Sequence, residues 1–588
     1  MNSEGTWRYT LLATLYSLMA IFIIGQLVRI QTNPEQVEYY LEKSRIFEAD
    51  LRSIKPPRGL LYDRQGKLLA GNTTVYEVGV ELAQVRNPHS IALTLNVVLG
   101  LDYTAVLEAV SQEASPKAVR VVLDDFVPQE KIDLLERYRA ELENSTPRLK
   151  GEEPPSLSGL EYIPHLQRDY PERYLASNVL GFVSREGSGY YGIEARFNNL
   201  IAGNTMEVWV PRDPNLAKDL VDVPDGASIV LTIDRAIQAE IEAILDEAVE
   251  ENGAQSGSIL VADPQTGEIL AMATTPRLDL NEYWRYDEVF KGSTPFNRAV
   301  SETYEPGSVF KVLTMAAALD SGAVTPETVF IDVGVIEVGG IYIYNWNSAA
   351  WGPQDMQGCL QHSLNVCLAW VATQLGTKDF YEYMRDFGIG RLTNIDLAGE
   401  VAGRLKIPGD TDWHEADLGT NSFGQGVAVT PLQMVMAVSA IANEGEMVAP
   451  RIVRSIIDEG NQHDIEKTVV GMPIKPETAR TLSEMLARSL EEEASVALVE
   501  GYRMAGKTGT AEIPTPYGYS LSATNASFVG WGPVDDPRFL VYVWLEKPTS
   551  SPWGSVVAAP VFHDVVERLV VLMDIPPDDV RRELLASQ

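Results

Sequence analysis

The hydrophobic pattern changes period several times along the chain. From Thr10 to Val28 the residues are uncharged and mostly apolar, running through Leu11-Leu12-Ala13-Thr14-Leu15 to Ile21-Phe22-Ile23-Ile24. As a helix this run spans about 29 Å, close to the thickness of a bilayer's hydrocarbon core. A cleaved signal peptide has a shorter apolar region closed by small residues. Here Gly25-Gln26-Leu27-Val28-Arg29 follows, which predicts an uncleaved membrane anchor over 10–30 behind a polar tip of 1–9. Arg8 and Arg29 flank both ends, so charge counting leaves its orientation open.

Beyond the anchor, Lys55-Pro56-Pro57-Arg58-Gly59 disfavours helix, and Arg64-Gln65-Gly66 reads as a hairpin tip between short strands. Residues 90–146 carry helical periodicity, as in Ile91-Ala92-Leu93-Thr94-Leu95 and Ile132-Asp133-Leu134-Leu135. The pattern shifts at Pro224-Asp225-Gly226. Thr232-Ile233-Asp234 leads into an amphipathic helix, Ala236 to Val249, with Ile237, Ile241, Ile244 and Leu245 on one side. Ser258–Val261 and Ile269–Met272 predict strands joined by the turn Asp263-Pro264-Gln265-Thr266-Gly267. Residues 367–375 return to helix. Phe528–Trp531 and Phe539–Leu545 predict strands around the turn Asp536-Pro537, and a final helix is expected near Val561 to Leu572. A helix, a hairpin, a helical middle and late strands make an α+β domain, an antiparallel sheet with helices on both faces. Neither an internal repeat nor a low-complexity segment interrupts it.

Composition narrows the function classes. The 588 residues allow two or three domains. Acidic residues outnumber basic ones by 82 to 47, and the net charge of −35 excludes a nucleic-acid binder, which needs a basic footprint. Only two cysteines occur, Cys359 and Cys367. Eight residues of continuous helix would hold them about 12 Å apart, too far to bridge unless the helix kinks. They are expected to be buried and unpaired. Cys359-x-x-His362-x-x-x-x-Cys367 has a superficial metal spacing but lacks the four ligands a structural zinc site normally closes with. His362 and His414 are read as surface or structural residues.

Candidate chemistry centres on Tyr304-Glu305-Pro306-Gly307-Ser308-Val309-Phe310-Lys311. Pro306 and Gly307 predict a helix starting near Ser308, and positions i and i+3 share a face, so Lys311 can reach the Ser308 hydroxyl. That pairs a nucleophile with a base. Alone the pattern is a common solvated helix turn. Two further stretches follow in order, Ser363-Leu364-Asn365 and Lys507-Thr508-Gly509-Thr510. Taken singly, Ser363 reads as a helix cap, Asn365 as a turn residue and Thr508-Gly509-Thr510 as a strand with a bulge. The ordered set S-x-x-K, S-x-N, K-T-G is the signature of penicillin-binding proteins and serine β-lactamases.

On these residues the chain resembles a class B penicillin-binding protein. Asn297-Arg298-Ala299, Gly424-Gln425-Gly426, Thr430-Pro431-Leu432-Gln433 and Ser527-Phe528-Val529-Gly530 resemble the same family. So do Arg58-Gly59 with Asp63-Arg64, Arg168-Asp169-Tyr170-Pro171 and Gly192-Ile193-Glu194, which look like its membrane-proximal pedestal. A structural salt bridge from Arg58 or Arg168 to Glu194 is the reading given to these charges. The resemblance implies a transpeptidase domain of the penicillin-binding/β-lactamase-like fold over 224–588, on an elongated α+β pedestal over 31–223.

The implied activity is a peptidoglycan D,D-transpeptidase acting through a serine acyl-enzyme with release of D-Ala, inhibited by β-lactams. Ser308 would be the nucleophile and Lys311 the base, with its pKa lowered by burial and by the cation Lys507. Ser363 would relay the proton to the leaving amine, and Asn365 would hold Lys311 and the substrate amide. N–H groups of Ser308 and Thr510 would form the oxyanion hole, commonly worth about 3 kcal/mol per donor. Thr508 and Thr510 would bind the terminal carboxylate with Lys507, and Gly509 would let the substrate approach the backbone. Pro514–Tyr519 is expected to be a mobile loop on the cleft rim. Neither metal nor organic cofactor is implied. The expected partners are stem peptides, the lipid-linked precursor and a SEDS-family glycosyltransferase in the membrane. The bulk of the chain is expected outside the cytoplasm.

The rival enzyme reading is a D,D-carboxypeptidase or β-lactamase, in which water replaces the amine; those usually lack such a pedestal. The rival from another class is a non-catalytic β-lactam sensor or scaffold. The short tip before the anchor leaves little room for a cytoplasmic effector, and the intact serine and lysines weigh against a dead site.

Overall fold

Alternation along five strands builds the layer on which the rest of the catalytic region rests. The structure, a computed structural model, describes residues 6–115, 119–143, 154–211, 223–292, 294–515 and 518–586. The chain divides into two units, Met1–Pro57 with Ala202–Gly226, and Arg58–Ile201 with Ala227–Gln588. In the first unit an apolar helix covers Thr6–Thr32, followed by a polar one over Pro34–Glu48. The strand Ala49–Ile54 pairs antiparallel with Met206–Pro211. Among the described residues Trp7–Thr32 is the one helix long and apolar enough to cross a membrane, and the anchor expected at 10–30 lies within it. Residues 1–5 of the expected polar tip lie outside the described residues.

In the second unit, strands β1 (Ser256–Ala262), β2 (Ile269–Thr274), β3 (Ala505–Thr515), β4 (Gly518–Gly532) and β5 (Phe539–Glu546) form one antiparallel sheet in the order β2-β1-β5-β4-β3. Successive side chains enter different cores. Ile259, Val261, Ala526, Phe528, Val541 and Val543 pack under helices α1 (Arg235–Glu251) and α7 (Ala559–Leu572). Leu260, Val529, Trp531, Tyr542 and Trp544 face the larger core. That core is filled by α2 (Lys311–Ser321), α4 (Asn365–Leu375), α5 (Pro431–Ala442) and α6 (Pro476–Glu493), with the short helix α3 (Met356–Gln361) beside them. The sheet with helices on both faces matches the expected class. Strand β3 is its edge. Asp234 caps α1 through Oδ1, which accepts from the N–H groups of Ala236 and Ile237 at 2.9 and 3.3 Å.

A second sheet of seven strands ties Arg58–Ile201 to the rest of this unit. Leu61–Tyr62 pairs antiparallel with Leu68–Glu81 and parallel with Ser228–Leu231. The expected hairpin is there: Asp63 Oδ1 accepts from the N–H groups of Gln65 and Lys67 at 2.9 and 2.7 Å. Two expectations are corrected. The helical stretch of 90–146 is interrupted by a strand, Arg120–Pro128, whose β-branched Val121 and Val122 pair with Val80 and Gly79. The helix ending at Leu572 is followed by another, Asp578–Ala586.

The expected salt bridge forms twice on one carboxylate. Arg58 and Arg168 each donate through Nε to Glu194, at 2.7 Å to Oε2 and 2.7 Å to Oε1. Arg168 Nη1 also donates to the Gly59 carbonyl at 2.7 Å, and Glu194 is fully buried. The clamp joins three chain segments around one charge that only its partners can satisfy. Glu194→Ala leaves two buried guanidinium groups facing no anion, and is expected to cost about 3–5 kcal/mol in chemical denaturation of the full chain.

Candidate active site

A tight turn presents the candidate nucleophile. Gly307–Phe310 is a 3₁₀ turn leading into α2 at Lys311, so the regular helix starts one turn later than its sequence suggests. Ser308 is half-buried within the turn and Lys311 follows one turn on. Gly307 adopts φ +58°, and a Cβ there would lie 2.5 Å from the Thr510 carbonyl oxygen. Gly424, at φ +82°, would place a Cβ 2.4 Å from the Gly307 oxygen, and the Gly307 N–H donates to the Gly424 carbonyl at 3.2 Å. The turn is thus wedged between β3 and Gly424-Gln425-Gly426, where any side chain would force it away.

Lys311 is completely buried. Its Nζ donates to the Ser363 carbonyl at 2.6 Å and to Asn365 Oδ1 at 2.7 Å, and lies 3.1 Å from Ser363 Oγ. None of these partners is an anion. Burial, and after it the neighbouring cation of Lys507, hold the amine well below its ordinary pKa. Lys507 is 4% exposed, and burial lowers it to about 8, partly opposed by Glu493. The site therefore sets a buried amine with a strongly lowered pKa beside a second lysine lowered only to about 8.

The acceptors for Lys311 come from a break between two helices. Helix α3 ends at Gln361, Ser363 takes φ +52°, and α4 begins at Asn365. That break overturns the expectation of two unpaired cysteines. With the helix interrupted, the Cα atoms of Cys359 and Cys367 come to 6.0 Å and the two form a disulfide. It also removes the metal reading, because bridged sulfurs have no thiolate to offer. The cysteines are fully buried, and the bridge closes the loop that carries Ser363 and Asn365. His362 stacks on Trp351 at 4.3 Å and contacts Glu493, while His414 caps the helix Glu415–Asn421.

On β3, buried Lys507 and Gly509 alternate with half-exposed Thr508 and Thr510. Gly509 meets its constraint from inside. A Cβ would sit 2.8 Å from Val309 Cγ1 and 2.2 Å from Ser527 Oγ. Thr510 Oγ1 accepts from the Gly554 N–H at 3.0 Å, which leaves its own O–H free to donate into the cleft. The rim differs from the expected mobile loop. Strand pairing runs out to Thr515 and Gly518, and Tyr519 Oη donates to Glu305 at 3.0 Å; Pro516 and Tyr517 lie outside the described residues. Gly554, Glu305 and the disulfide escaped the reading of the sequence. A cysteine pair bracketing S-x-N was the signal for the last, and the other two carry none outside three dimensions.

The flanking motifs are structural supports. Thr430 and Gln433 form a reciprocal cap at the start of α5, with N–H to side-chain distances of 3.1 and 2.9 Å. Asn297 Nδ2 donates to the Asn178 carbonyl at 3.0 Å, and Arg298 Nη1 reaches Glu546 at 3.1 Å.

Set beside known proteins, residues 257–567 match the penicillin-binding protein transpeptidase domain, and residues 53–205 the penicillin-binding protein dimerisation domain. The chain therefore belongs to the penicillin-binding transpeptidases. Among curated relatives, Stage V sporulation protein D of Bacillus subtilis is 32% identical over 98% of this chain and 87% of its own. The peptidoglycan D,D-transpeptidase FtsI of Escherichia coli is 27% identical over 97% and 93%. A solved peptidoglycan synthetase from Bifidobacterium adolescentis superposes with a TM-score of 0.69 at 27% identity, covering 90% of this chain and 98% of that one. Penicillin-binding protein 2X of Streptococcus thermophilus shares the fold, with a TM-score of 0.73 at 23% identity over 89% and 80%. Within the family the chain is a class B penicillin-binding protein, a membrane-anchored peptidoglycan D,D-transpeptidase.

The disulfide closes a short loop, and the chain-entropy estimate for such a loop is about 2–3 kcal/mol. Cys359→Ala/Cys367→Ala is expected to lose stability of that order. Unfolding curves with and without reductant should coincide for the variant and differ for the native chain.

Proposed function

We propose that Ser308 is acylated by the D-Ala-D-Ala end of a stem peptide with Lys311 as base. The fully buried Lys311 amine, held by neutral acceptors with no anion among them, carries this reading. An uncharged amine has two hydrogens, engaged by the Ser363 carbonyl and Asn365 Oδ1, and one lone pair left to accept the Ser308 proton. Ser308 Oγ attacks the penultimate D-Ala carbonyl, and the C–N bond to the terminal D-Ala breaks. Ser363 Oγ, 3.1 Å from Nζ, relays the proton to that leaving amine. An amine of a neighbouring stem then attacks the ester, and Ser308 recovers its proton as the new amide forms.

Backbone N–H groups of Ser308 and Thr510 hold the oxyanion, a term of about 3 kcal/mol per donor. Thr508, Thr510 and cationic Lys507 bind the substrate carboxylate. The half-exposed threonines beside a buried lysine on an edge strand support that assignment.

The anchor leaves the N-terminus in the cytoplasm and the catalytic region outside. The disulfide supports this orientation, since such bonds persist in oxidising compartments. Residues 31–223 serve as pedestal and 224–588 as transpeptidase domain. The exposed apolar helix is the surface offered to a SEDS-family glycosyltransferase within the bilayer.

Mass spectrometry of a penicillin-treated digest is expected to find the adduct on Ser308; an adduct on another serine overturns the assignment. Lys311→Ala should slow acylation by about 10²–10⁴-fold with little change in the half-saturating penicillin concentration. If only that concentration moves, Lys311 is a binding residue.

The two lysines also set a pH profile. Acylation should already proceed at neutral pH, because Lys311 loses its proton far below the usual lysine range. It should fall as pH rises through about 8, where Lys507 loses the charge that holds the carboxylate. Acylation rates across the alkaline range test this. Lys507→Arg keeps its charge and should lose the alkaline fall, whereas a rate that keeps climbing in the native chain removes the need for that cation.

A further inference from the structure

Beside the cleft stands a row of aromatic side chains that the catalytic groups leave unused. The strand Ile341–Tyr344 pairs antiparallel with Val335–Val338, and its side chains alternate between faces. Ile343 is buried against Val338 and Phe423, and Asn345 is buried with its amide donated to Asp332 at 2.6 Å. The opposite face carries Tyr342 and Tyr344, and Trp346 follows in the turn beyond the strand; they are 60%, 55% and 52% exposed. Trp553, 42% exposed, meets Trp346 edge to face at 5.5 Å. Exposed Glu337 stands opposite Tyr342 in the register.

The row is continuous with the catalytic site. The Tyr344 carbonyl accepts from Asn365 Nδ2 at 3.2 Å, and Trp346 Nε1 donates to the carbonyl of His362, the neighbour of Ser363, at 3.2 Å. On the other side Trp553 precedes Gly554, whose N–H holds Thr510. Tyr342 and Tyr344, at alternate strand positions, stand about 6.8 Å apart, and Trp346 lies in the turn that follows. A cluster of exposed rings of this size beside a catalytic cleft marks a binding surface, since isolated apolar residues would suffice for an ordinary one.

We propose that Tyr342, Tyr344 and Trp346 form a glycan subsite. The hexosamine backbone of a peptidoglycan strand lies along the row while the stem it bears reaches Ser308. The inference rests on the transpeptidase reading, because that reaction's substrate is a peptide carried on a sugar polymer. Aromatic faces are electron-rich and complement the slightly positive C–H faces of pyranose rings. Sugar rings need no counter-charge, which suits a chain of net charge −35, and Glu337 offers an acceptor to a hydroxyl or acetamido N–H.

The test uses the full chain in detergent micelles and peptide-free glycan strands of alternating N-acetylglucosamine and N-acetylmuramic acid whose lactyl carboxylates are amidated, so that the strands carry no charge. Isothermal titration should show binding by the native chain. Tyr342→Ala/Trp346→Ala should weaken it by at least about tenfold, as removal of two anchoring rings would, and Trp346→Phe should retain most of it. The rate of fluorescent penicillin acylation should stay unchanged in these variants. Tyr342→Ser serves where the double variant does not fold. No binding by the native chain, or equal binding by the double variant, overturns the subsite. So does a variant that only dissociates a self-associated form, which would make the face an interface between copies. A native chain that binds the strands but resists penicillin keeps the subsite and overturns the catalytic reading instead.

Discussion

Burying an ammonium among neutral acceptors costs several kcal/mol unless the group gives up its proton. Lys311 is in that position, fully buried on a core helix, with a carbonyl, a hydroxyl and an amide oxygen around it and another lysine near by. The chemistry proposed at Ser308 depends on that cost being borne by the fold. The first eight residues of α2, Lys311 to Ala318, are all buried. The amine's acceptors are held firmly too. Ser363 sits at a left-handed backbone position between two helices, and the Cys359–Cys367 bond closes the loop around it.

The second constraint is steric. Three backbones approach within the distance a single Cβ would occupy: the turn at Gly307, the strand at Thr510 and the loop at Gly424. Val309 fills the space beside Gly509, and Gly554 packs against the Gly509 carbonyl from the far side. The nucleophile is thereby fixed relative to the edge strand by packing. Such placement suits a site whose donors and nucleophile must already stand at the geometry of the tetrahedral intermediate.

Much of this was legible before any coordinates. The S-x-x-K turn, S-x-N and K-T-G stretches carry their chemistry in residue type and spacing, and the alternating strands announced the sheet. A bridge from Arg58 or Arg168 to a carboxylate such as Glu194 was expected among the motifs that resemble the pedestal, and both arginines meet Glu194. The cysteines failed because the distance between them was measured along a helix that the chain does not keep. Nothing in the residues between them announces the left-handed step at Ser363. The rim at Pro514–Tyr519 failed for a related reason. Its prolines and glycine signal a loop, whereas cross-strand pairing and the Tyr519–Glu305 contact extend the hairpin. Local pattern yields where a distant partner supplies the energy.

The proposed acylation draws on these groups, yet the same set would serve a hydrolase equally well. In the proposed mechanism a serine, a buried lysine and an oxyanion site would make the ester; they do not choose between water and an amine as its second attacker. That choice lies in how the ester is screened and where an incoming strand is held, which are properties of the surface around the cleft. Here the surface is built rather than open. A paired ribbon rises from β3 and β4, with Tyr519 pinning it beside the nucleophile turn. Trp346 and Trp553 meet edge to face, the first donating to the His362 carbonyl beside S-x-N and the second adjoining Gly554, whose N–H donates to Thr510. Rigid walls tied to the same backbone as the catalytic groups keep acceptor geometry coupled to nucleophile geometry. A polymeric amine donor benefits from that coupling through its many contacts, and a water molecule gains nothing from it.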